Sequence, residues 1–357
     1  MRIVQLIDSL EAGGAERMAV NYANSLVNKT EFSGLIATRK EGTLLDQINS
    51  NVSYLFLNKK GRFDLKALFR LRSFVLKNKV THIHAHSTSF FFAFLLKLIY
   101  PSLSILRHDH YGNNEFLATR PSAVLKLTAS FFKGVIVVNQ NLKDWSDSEL
   151  KVKNVIYLPN FPIKEINIVS QTVLFGVNGK RIVSLANLRE QKNHFLLLNV
   201  AQQLKKNYPE WTFHLIGKDF EDEYSFQIKQ FIKKYDLNNN VFLYDTRQDI
   251  EHILNQASIA VLTSKSEGLP VALLEYGLYK KAVVVTNVGE VSQVVQNRNN
   301  GFVVEPDSED LFYKSLVNLI EEESLRTHFG NALFNTIQRE YTEESVINKY
   351  LKWLQIS

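Results

Sequence analysis

Residues 264–275, reading S-K-S-E-G-L-P-V-A-L-L-E, hold the side chains best placed to do chemistry. Two carboxylates, Glu267 and Glu275, flank the turn Gly268-Leu269-Pro270. The apolar run Ile259 to Leu262 ahead of them predicts a buried parallel strand, Glu267 to Pro270 the turn beyond its C-terminal end, and Val271 to Tyr279 a helix. Proline suits the entrance of that helix, where its missing N–H costs nothing, and Gly268 lets the backbone approach a ligand closely. A strand, a glycine turn and a helix N-terminus converge amides and the helix dipole on one point, which makes an anion site with phosphate as its natural guest. Ionised carboxylates only accept hydrogen bonds, so Glu267 and Glu275 suit hydroxyl pairs, such as those at the ribose and hexose ends of a sugar nucleotide. An ordinary β-α unit with a solvated Glu267 has the same local pattern, so other stretches must decide.

Three further turns offer matching groups. After an apolar strand at Arg181 to Ala186 come Arg189 and Lys192, two cations able to neutralise a diphosphate without a metal; each charged hydrogen bond is worth about 1.5–3 kcal/mol. The first strand ends at Asp8, and Gly13-Gly14 then open a helix to about Val27, allowing close approach of a phosphate or simply a tight turn. A strand from Thr212 closes with Gly217. Histidines 82, 84 and 86 alternate along a strand at Val80 to Ser87 and share one side, the periodicity of a histidine metal site. The next strand, Leu103 to Arg107, delivers His108-Asp109-His110-Tyr111-Gly112 to the same edge. No Asp-x-Asp pair occurs anywhere, so no divalent ion bridged by carboxylates is expected.

Glu267 and Glu275 with the intervening E-G-L-P turn resemble the E-x7-E signature of retaining GT-B glycosyltransferases, specifically the family 4 group, and the resemblance runs nearly the full length of the chain. It implies that Glu267 faces the donor sugar, that the amides of Gly268, Leu269 and Pro270 hold the diphosphate, and that Glu275 binds the ribose. It extends donor binding to Gly14, Arg189, Lys192 and Gly217, and places Gly13, His86 and His110 on the acceptor side. Glu267, His108 and Lys192 are the expected catalytic residues, with His110 the second choice after His108. The His-x-His strand is otherwise structural in this reading, and no metal is expected. Five positions depart from the family pattern: Ala186 and Asn187 stand where Gly and Arg are usual, Asn139 where Ser is common, and Asn287 with Glu290 in the usual Thr-Asp-x-Gly-Gly segment.

The chain is long enough, at 357 residues, for two domains, and its 45% hydrophobic and 22% charged content is that of a folded protein. Cysteine is absent, which excludes disulfide scaffolds and thiolate metal sites. The first eight residues meet Asp8 too early for a signal peptide and read as a strand, so a cytoplasmic location is expected. The apolar run Phe90 to Tyr100 is broken by Lys97 and falls short of the ~18 residues a membrane span needs, and it reads as a buried helix. Net charge is +6, with an excess of about nine positive charges up to Glu165 and a small negative balance after it. A basic first half suits an acidic partner: a lipid-linked diphosphate or an anionic membrane at the inner face of the plasma membrane. Nucleic-acid motifs are absent. Basic and apolar residues alternate at helical spacing from Lys59 to Lys79, as in an interfacial helix or a solvated amphipathic one.

Strand and helix alternate in both halves, which predicts an α/β fold with two doubly wound Rossmann-like domains facing across a cleft, and the resemblance implies that this fold is GT-B. The expected division is an acceptor-side domain at 1–162, with Pro159 and Pro162 marking the linker, a nucleotide-sugar domain at 163–340, and a C-terminal helix at 341–357 returning to the first domain. The expected function is transfer of a sugar from a nucleotide diphosphate donor, UDP favoured over GDP, to a hydroxyl of a saccharide or lipid-linked acceptor in cell-surface polysaccharide synthesis. Glu267 reads as a positioner of the sugar ring. A catalytically silent sugar-nucleotide binder and a sugar-nucleotide epimerase are the alternatives. An oxidoreductase lacks its Gly-x-Gly-x-x-Gly fingerprint after the first strand.

Overall fold

The computed structural model describes residues 1–112, 114–164 and 169–356. The chain forms two compact units, Met1–Phe161 with Glu343–Ser357, and Pro162–Thr342. In the first, seven parallel strands run β1 (Arg2–Ser9), β2 (Phe32–Lys40), β3 (Ser53–Phe56), β4 (His82–His86), β5 (Ser104–Asp109), β6 (Gly134–Val137) and β7 (Val155–Tyr157) in the order β3-β2-β1-β4-β5-β6-β7. In the second, β8 (Arg181–Leu185), β9 (Thr212–Ile216), β10 (Val241–Tyr244), β11 (Ile259–Leu262), β12 (Ala282–Thr286) and β13 (Phe302–Val304) lie in the order β10-β9-β8-β11-β12-β13. Both are doubly wound α/β sheets, as expected from the alternation.

The strands form where apolar residues run without a period, because helices cover both faces of each sheet. In the first unit one face packs Leu68, Leu71, Val75, Phe92 and Leu96 over the sheet, and the other packs Leu10, Ala19, Val20 and Ala23. The second unit repeats this with Leu197, Leu204, Phe213 and Phe312 on one face and Ile253, Leu273, Tyr276 and Leu333 on the other. Order reverses between β1 and β4, and between β8 and β11. At such a switch point the connections leave in opposite directions and open a crevice beyond the strand ends, where ligands bind in this fold class.

Two local expectations need correction, for Phe90–Ile99 and Asp249, and one helix has no counterpart in the sequence reading. The helix Phe90–Ile99 is buried only on the side of Phe90, Phe92, Ala93 and Leu96, while Leu98 is exposed. The 18-residue helix Glu323–Glu340 escapes a reading by periodicity because only Phe329, Gly330, Leu333 and Ile337 are buried along it, leaving a weak apolar stripe. Asp249 reads in sequence as a first-turn charge facing the helix dipole, yet its carboxylate accepts from the amides of Gln171 and Thr172 at 2.9 and 2.8 Å and from the Thr172 hydroxyl at 2.8 Å. It pins the start of the second unit to the sheet edge. The last helix, Glu343–Ile356, belongs to the first unit, where Trp353 Nε1 donates to Asn154 Oδ1 at 2.6 Å and Tyr350 packs edge-on against Tyr22.

Candidate active site

In the second unit, β8 and β11 are sheet neighbours, so the turns that leave their C-terminal ends meet although about 75 residues separate them in sequence. The carbonyl of Lys192 accepts from Thr263 Oγ1 at 2.9 Å. Gln191 donates to the Ser266 carbonyl at 2.6 Å and accepts from the Lys265 amide at 2.8 Å. These bonds fix Lys192 Nζ 2.5 Å from Glu267 Oε1, an oxygen that also accepts from Ser264 Oγ at 2.6 Å. Glu267 is only 6% exposed. Burial of this carboxylate is tolerable because an ammonium and a hydroxyl share it.

Pro270 occupies the N-cap position of the helix Val271–Leu278 and offers no side-chain acceptor to the leading amides. Leu269 and Pro270 are buried, and Glu275, one turn in, is 9% exposed. An ammonium, a buried carboxylate and an open helix N-terminus therefore converge, a combination suited to an anion linked to a hydroxylated ring.

Gly289 braces this turn from β12. Its φ is +53°, and a Cβ there would stand 2.2 Å from the Glu267 carbonyl oxygen. Glu290 N donates to the Gly268 carbonyl at 2.9 Å. Gly289→Ala is expected to cost about 1–3 kcal/mol of stability from backbone strain alone, and to weaken anion binding because the Glu267–Pro270 turn must move. Chemical denaturation with a parallel ligand titration checks both.

Gly217 is held by close approach as well, since a Cβ there would lie 2.2 Å from the Ala186 carbonyl oxygen. Asn187 Oδ1 accepts from the Lys218 amide at 2.8 Å, so it stitches the turns after β8 and β9 together. Arg189 is exposed, with its guanidinium over the Phe220 ring at 4.7 Å. Asn287 donates to Glu305 at 2.9 Å, a structural role.

In the first unit, Gly13 is the N-cap position of the helix Gly14–Leu26, and a Cβ on Gly14 would meet nothing within 4 Å. Gly14 is exposed, so the space beside it is open to a ligand.

The histidines form one stacked cluster because β4 and β5 pair in register, with His86 opposite His108. His84 Nε2 and His108 Nδ1 lie 3.0 Å apart, as do His86 Nδ1 and His110 Nε2, while His86 Nε2 bonds Gln5 Oε1 at 2.9 Å. His108, expected from sequence to reach the substrate, is 1% exposed, and His86 is fully buried; it is His110 and Ser87 that line the neighbouring cavity. The strand register explains the difference, since residues within the strand are covered by the helix at Tyr22 and by Tyr350, whereas His110 lies just past its end. Burial pushes the imidazoles of His84, His86 and His108 well below 6.5, reinforced by their neighbours. Ligand nitrogens of these three fall within 4.8 Å of one another. Both nitrogens of His86 are engaged, so a metal ion would have to displace existing bonds, and His82 bonds elsewhere, to Thr81.

Beside the cluster, at the C-terminal edge of β1, β2, β4 and β5, is a cavity of about 850 Å³. Five cations line it, Arg39, Lys59, Arg62, Arg107 and Arg120, against the carboxylates Asp8 and Asp109. Phe90, Phe91, Phe92, Tyr111, Val124 and Leu125 form its apolar wall. Burial alone would raise the Asp109 carboxyl, but Arg107 at 2.8 Å and a bidentate Arg120 at 2.7 and 2.8 Å hold it well below the usual range. Arg107 and Arg120 are not marked by any motif; the one signal in sequence is a charge directly after the apolar pair Ile105-Leu106 of a central strand.

Two doubly wound parallel units carrying a lysine–carboxylate pair at an open helix N-terminus define a GT-B glycosyltransferase. Residues 12–161 match the model described as Glycosyltransferase Family 4, and residues 166–335 match Glycosyl transferases group 1. The chain belongs to the family 4 glycosyltransferases. It is 24% identical to the amylovoran biosynthesis glycosyltransferase AmsD of Erwinia amylovora, with 98% of each chain covered. It is 23% identical to the Escherichia coli UDP-Gal:alpha-D-GlcNAc-diphosphoundecaprenol alpha-1,3-galactosyltransferase, over 94% of this chain and 93% of that one. Among solved structures, Anabaena HepE in complex with UDP and glucose superposes with a TM-score of 0.79 at 18% identity, covering 99% of both chains.

Proposed function

We propose that this glycosyltransferase is a retaining hexosyl- or hexosaminyl-transferase that uses a UDP-sugar, with a GDP-sugar as the alternative donor, and acts on a saccharide or lipid-linked acceptor in surface-polysaccharide synthesis. The Lys192–Glu267 pair at the entrance of the helix Val271–Leu278 carries this reading. Departure of a nucleoside diphosphate builds negative charge on the β-phosphate. Lys192 and the leading helix amides are preorganised to meet that charge, and such terms are commonly the largest in catalysis. In the second unit Glu267 positions the sugar hydroxyls, Glu275 takes the ribose, and Arg189 and Gly217 complete the donor site; in the first, His110 and Gly13 serve the acceptor. His108 supports His110 from beneath. Lys192 supplies the charge neutralisation that a metal would otherwise bring, so no divalent ion is required.

The AmsD and E. coli relatives support the polysaccharide setting, and the UDP complex of the Anabaena protein supports the donor base. A catalytically silent binder is favoured by the departures at Asn187 and Asn287 alone, and both side chains have structural partners in the second unit. Among the described residues no helix is long and apolar enough to cross a membrane. Phe63 and Phe69 are nevertheless 67% and 60% exposed beside the exposed Lys60, Arg62 and Lys66, which suits peripheral binding to an anionic bilayer at the cytoplasmic face.

A thermal-shift panel of nucleotide diphosphate sugars, with and without EDTA, tests the reading. A ligand at about 100 times its Kd adds about 2.7 kcal/mol, a rise of a few degrees. A rise with one UDP-sugar that persists in EDTA is expected. A rise that EDTA abolishes overturns the metal-free site, and no rise with any donor overturns the enzyme reading.

A further inference from the structure

The cationic cavity of the first unit is larger and more charged than a hydroxyl-bearing sugar requires. Arg107 is 1% exposed, and its Nε and Nη1 are buried with no hydrogen-bond partner. An uncompensated guanidinium edge is costly unless something answers it, and Asp109 reaches only Nη2. Of the other cations, Arg39 pairs with Asp8 and Arg120, over Tyr111 at 4.3 Å, with Asp109, whereas Lys59 lies over Phe92 at 4.5 Å and Arg62 over Phe91 at 4.9 Å. A ring face orients a cation without neutralising it. Asp8 is shared among Lys59, Arg39, Thr38 and Thr88, so the cavity retains a positive excess at the switch point between β1 and β4.

The aromatic wall continues outward. Phe63 packs edge-on against Phe91 at 5.7 Å, Phe91 meets Phe94, and Phe94 meets Phe131 at 4.9 Å. Phe63 and Phe131 are exposed. A basic pocket thus opens onto an apolar strip, a pairing that a free phosphate or a neutral sugar would leave half used.

We propose that this cavity is the anchoring site for the acceptor's own phosphate, a diphosphate ester seated on Arg107 and Lys59, with its hydrocarbon chain running along Phe91, Phe94 and Phe63. The assignment rests on the glycosyltransferase reading above and specifies the acceptor as a lipid diphosphate. Arg107 and Lys59 are binding residues for the diphosphate, and they select acceptors by charge.

Equilibrium binding of farnesyl diphosphate, inorganic pyrophosphate and farnesol to the full chain tests it, alongside Arg107→Met and Lys59→Met, with the UDP-induced thermal shift recorded for each variant. Farnesyl diphosphate is expected to bind at least tenfold more tightly than either of the other probes. Each substitution is expected to weaken it at least tenfold and to leave the UDP shift unchanged. Lys59→Met keeps the test decisive if Arg107→Met fails to fold. Equal affinity for pyrophosphate, unchanged binding in a folded variant, or displacement of farnesyl diphosphate by UDP overturns the proposal. A normal UDP shift with no farnesyl diphosphate binding refutes this inference alone, whereas loss of both refutes the donor-site reading as well.

Discussion

Replacing Lys192 with methionine is expected to lower kcat by about 10²–10³-fold, the range seen when one preorganised donor to a developing anion is removed. Lys192 Nζ and Glu267 Oε1 are 2.5 Å apart, so the substitution also strips the ammonium from a carboxylate that is 6% exposed, while Ser264 still donates to the same oxygen. Donor affinity should fall together with turnover, because the same ammonium meets the diphosphate before and during cleavage. Glu267→Gln should behave differently. It keeps the shape and removes the charge, so turnover drops while the UDP-induced thermal shift stays nearly intact. In the double variant the losses should be clearly less than additive, since each single change already breaks the pair. Steady-state kinetics of the four proteins, with UDP thermal shifts, check this. Wild-type turnover in either single variant would remove the pair from the chemistry.

Acidification is the second large effect expected. In the first unit, His82 is pushed down to about 4 by burial and by Lys133, and His84, His86 and His108 lie well below 6.5 through burial and neighbouring imidazoles. Burial also pushes His110 down, against the pull of Asp109. A histidine held neutral in the folded state costs nothing above about pH 6.5, where the unfolded chain is neutral too. Below that pH the unfolded state takes up a proton that the folded state refuses. Stability therefore falls as pH drops, by about 1.4 kcal/mol per pH unit for each such group. Between pH 7 and 5.5 the five together remove on the order of 5 kcal/mol, comparable to the whole stability of a domain. In the second unit burial lowers two histidines, His194 and His214, in the same way. The first unit should therefore melt earlier in acid, and His82→Gln should reduce the pH slope by about one proton. Denaturant titrations across this range check it, and a melting profile independent of pH from 7.5 to 5.5 would show that the cluster takes up protons in the folded chain as readily as in the unfolded one.

Legibility varied with the range of the interaction. The strand–turn–helix at 259–278 could be read from sequence because each step is local: an apolar run, a glycine, a proline and a helix start. The helix Leu65–Lys77 was equally plain from its spacing. The long helix Glu323–Glu340 was hidden by its thin apolar stripe. Asn187 and Asn287 show in sequence only as departures from the family pattern and in the structure as ties between turns, since an amide's partner across a sheet edge leaves no mark in its neighbours.

The sequence by itself determined the α/β alternation, the E-x7-E motif with Lys192, and the basic first half, all of which depend on residue type and short spacing. Tertiary structure decided which histidine reaches open space, because the β4–β5 register buries His86 and His108 and leaves His110 at the strand end. It also decided that Arg39, Lys59, Arg62, Arg107 and Arg120 share one cavity. These residues come from segments far apart in the chain, and only the switch in strand order at β1 and β4 brings them to one edge, where long-range pairing sets the charge that a ligand meets.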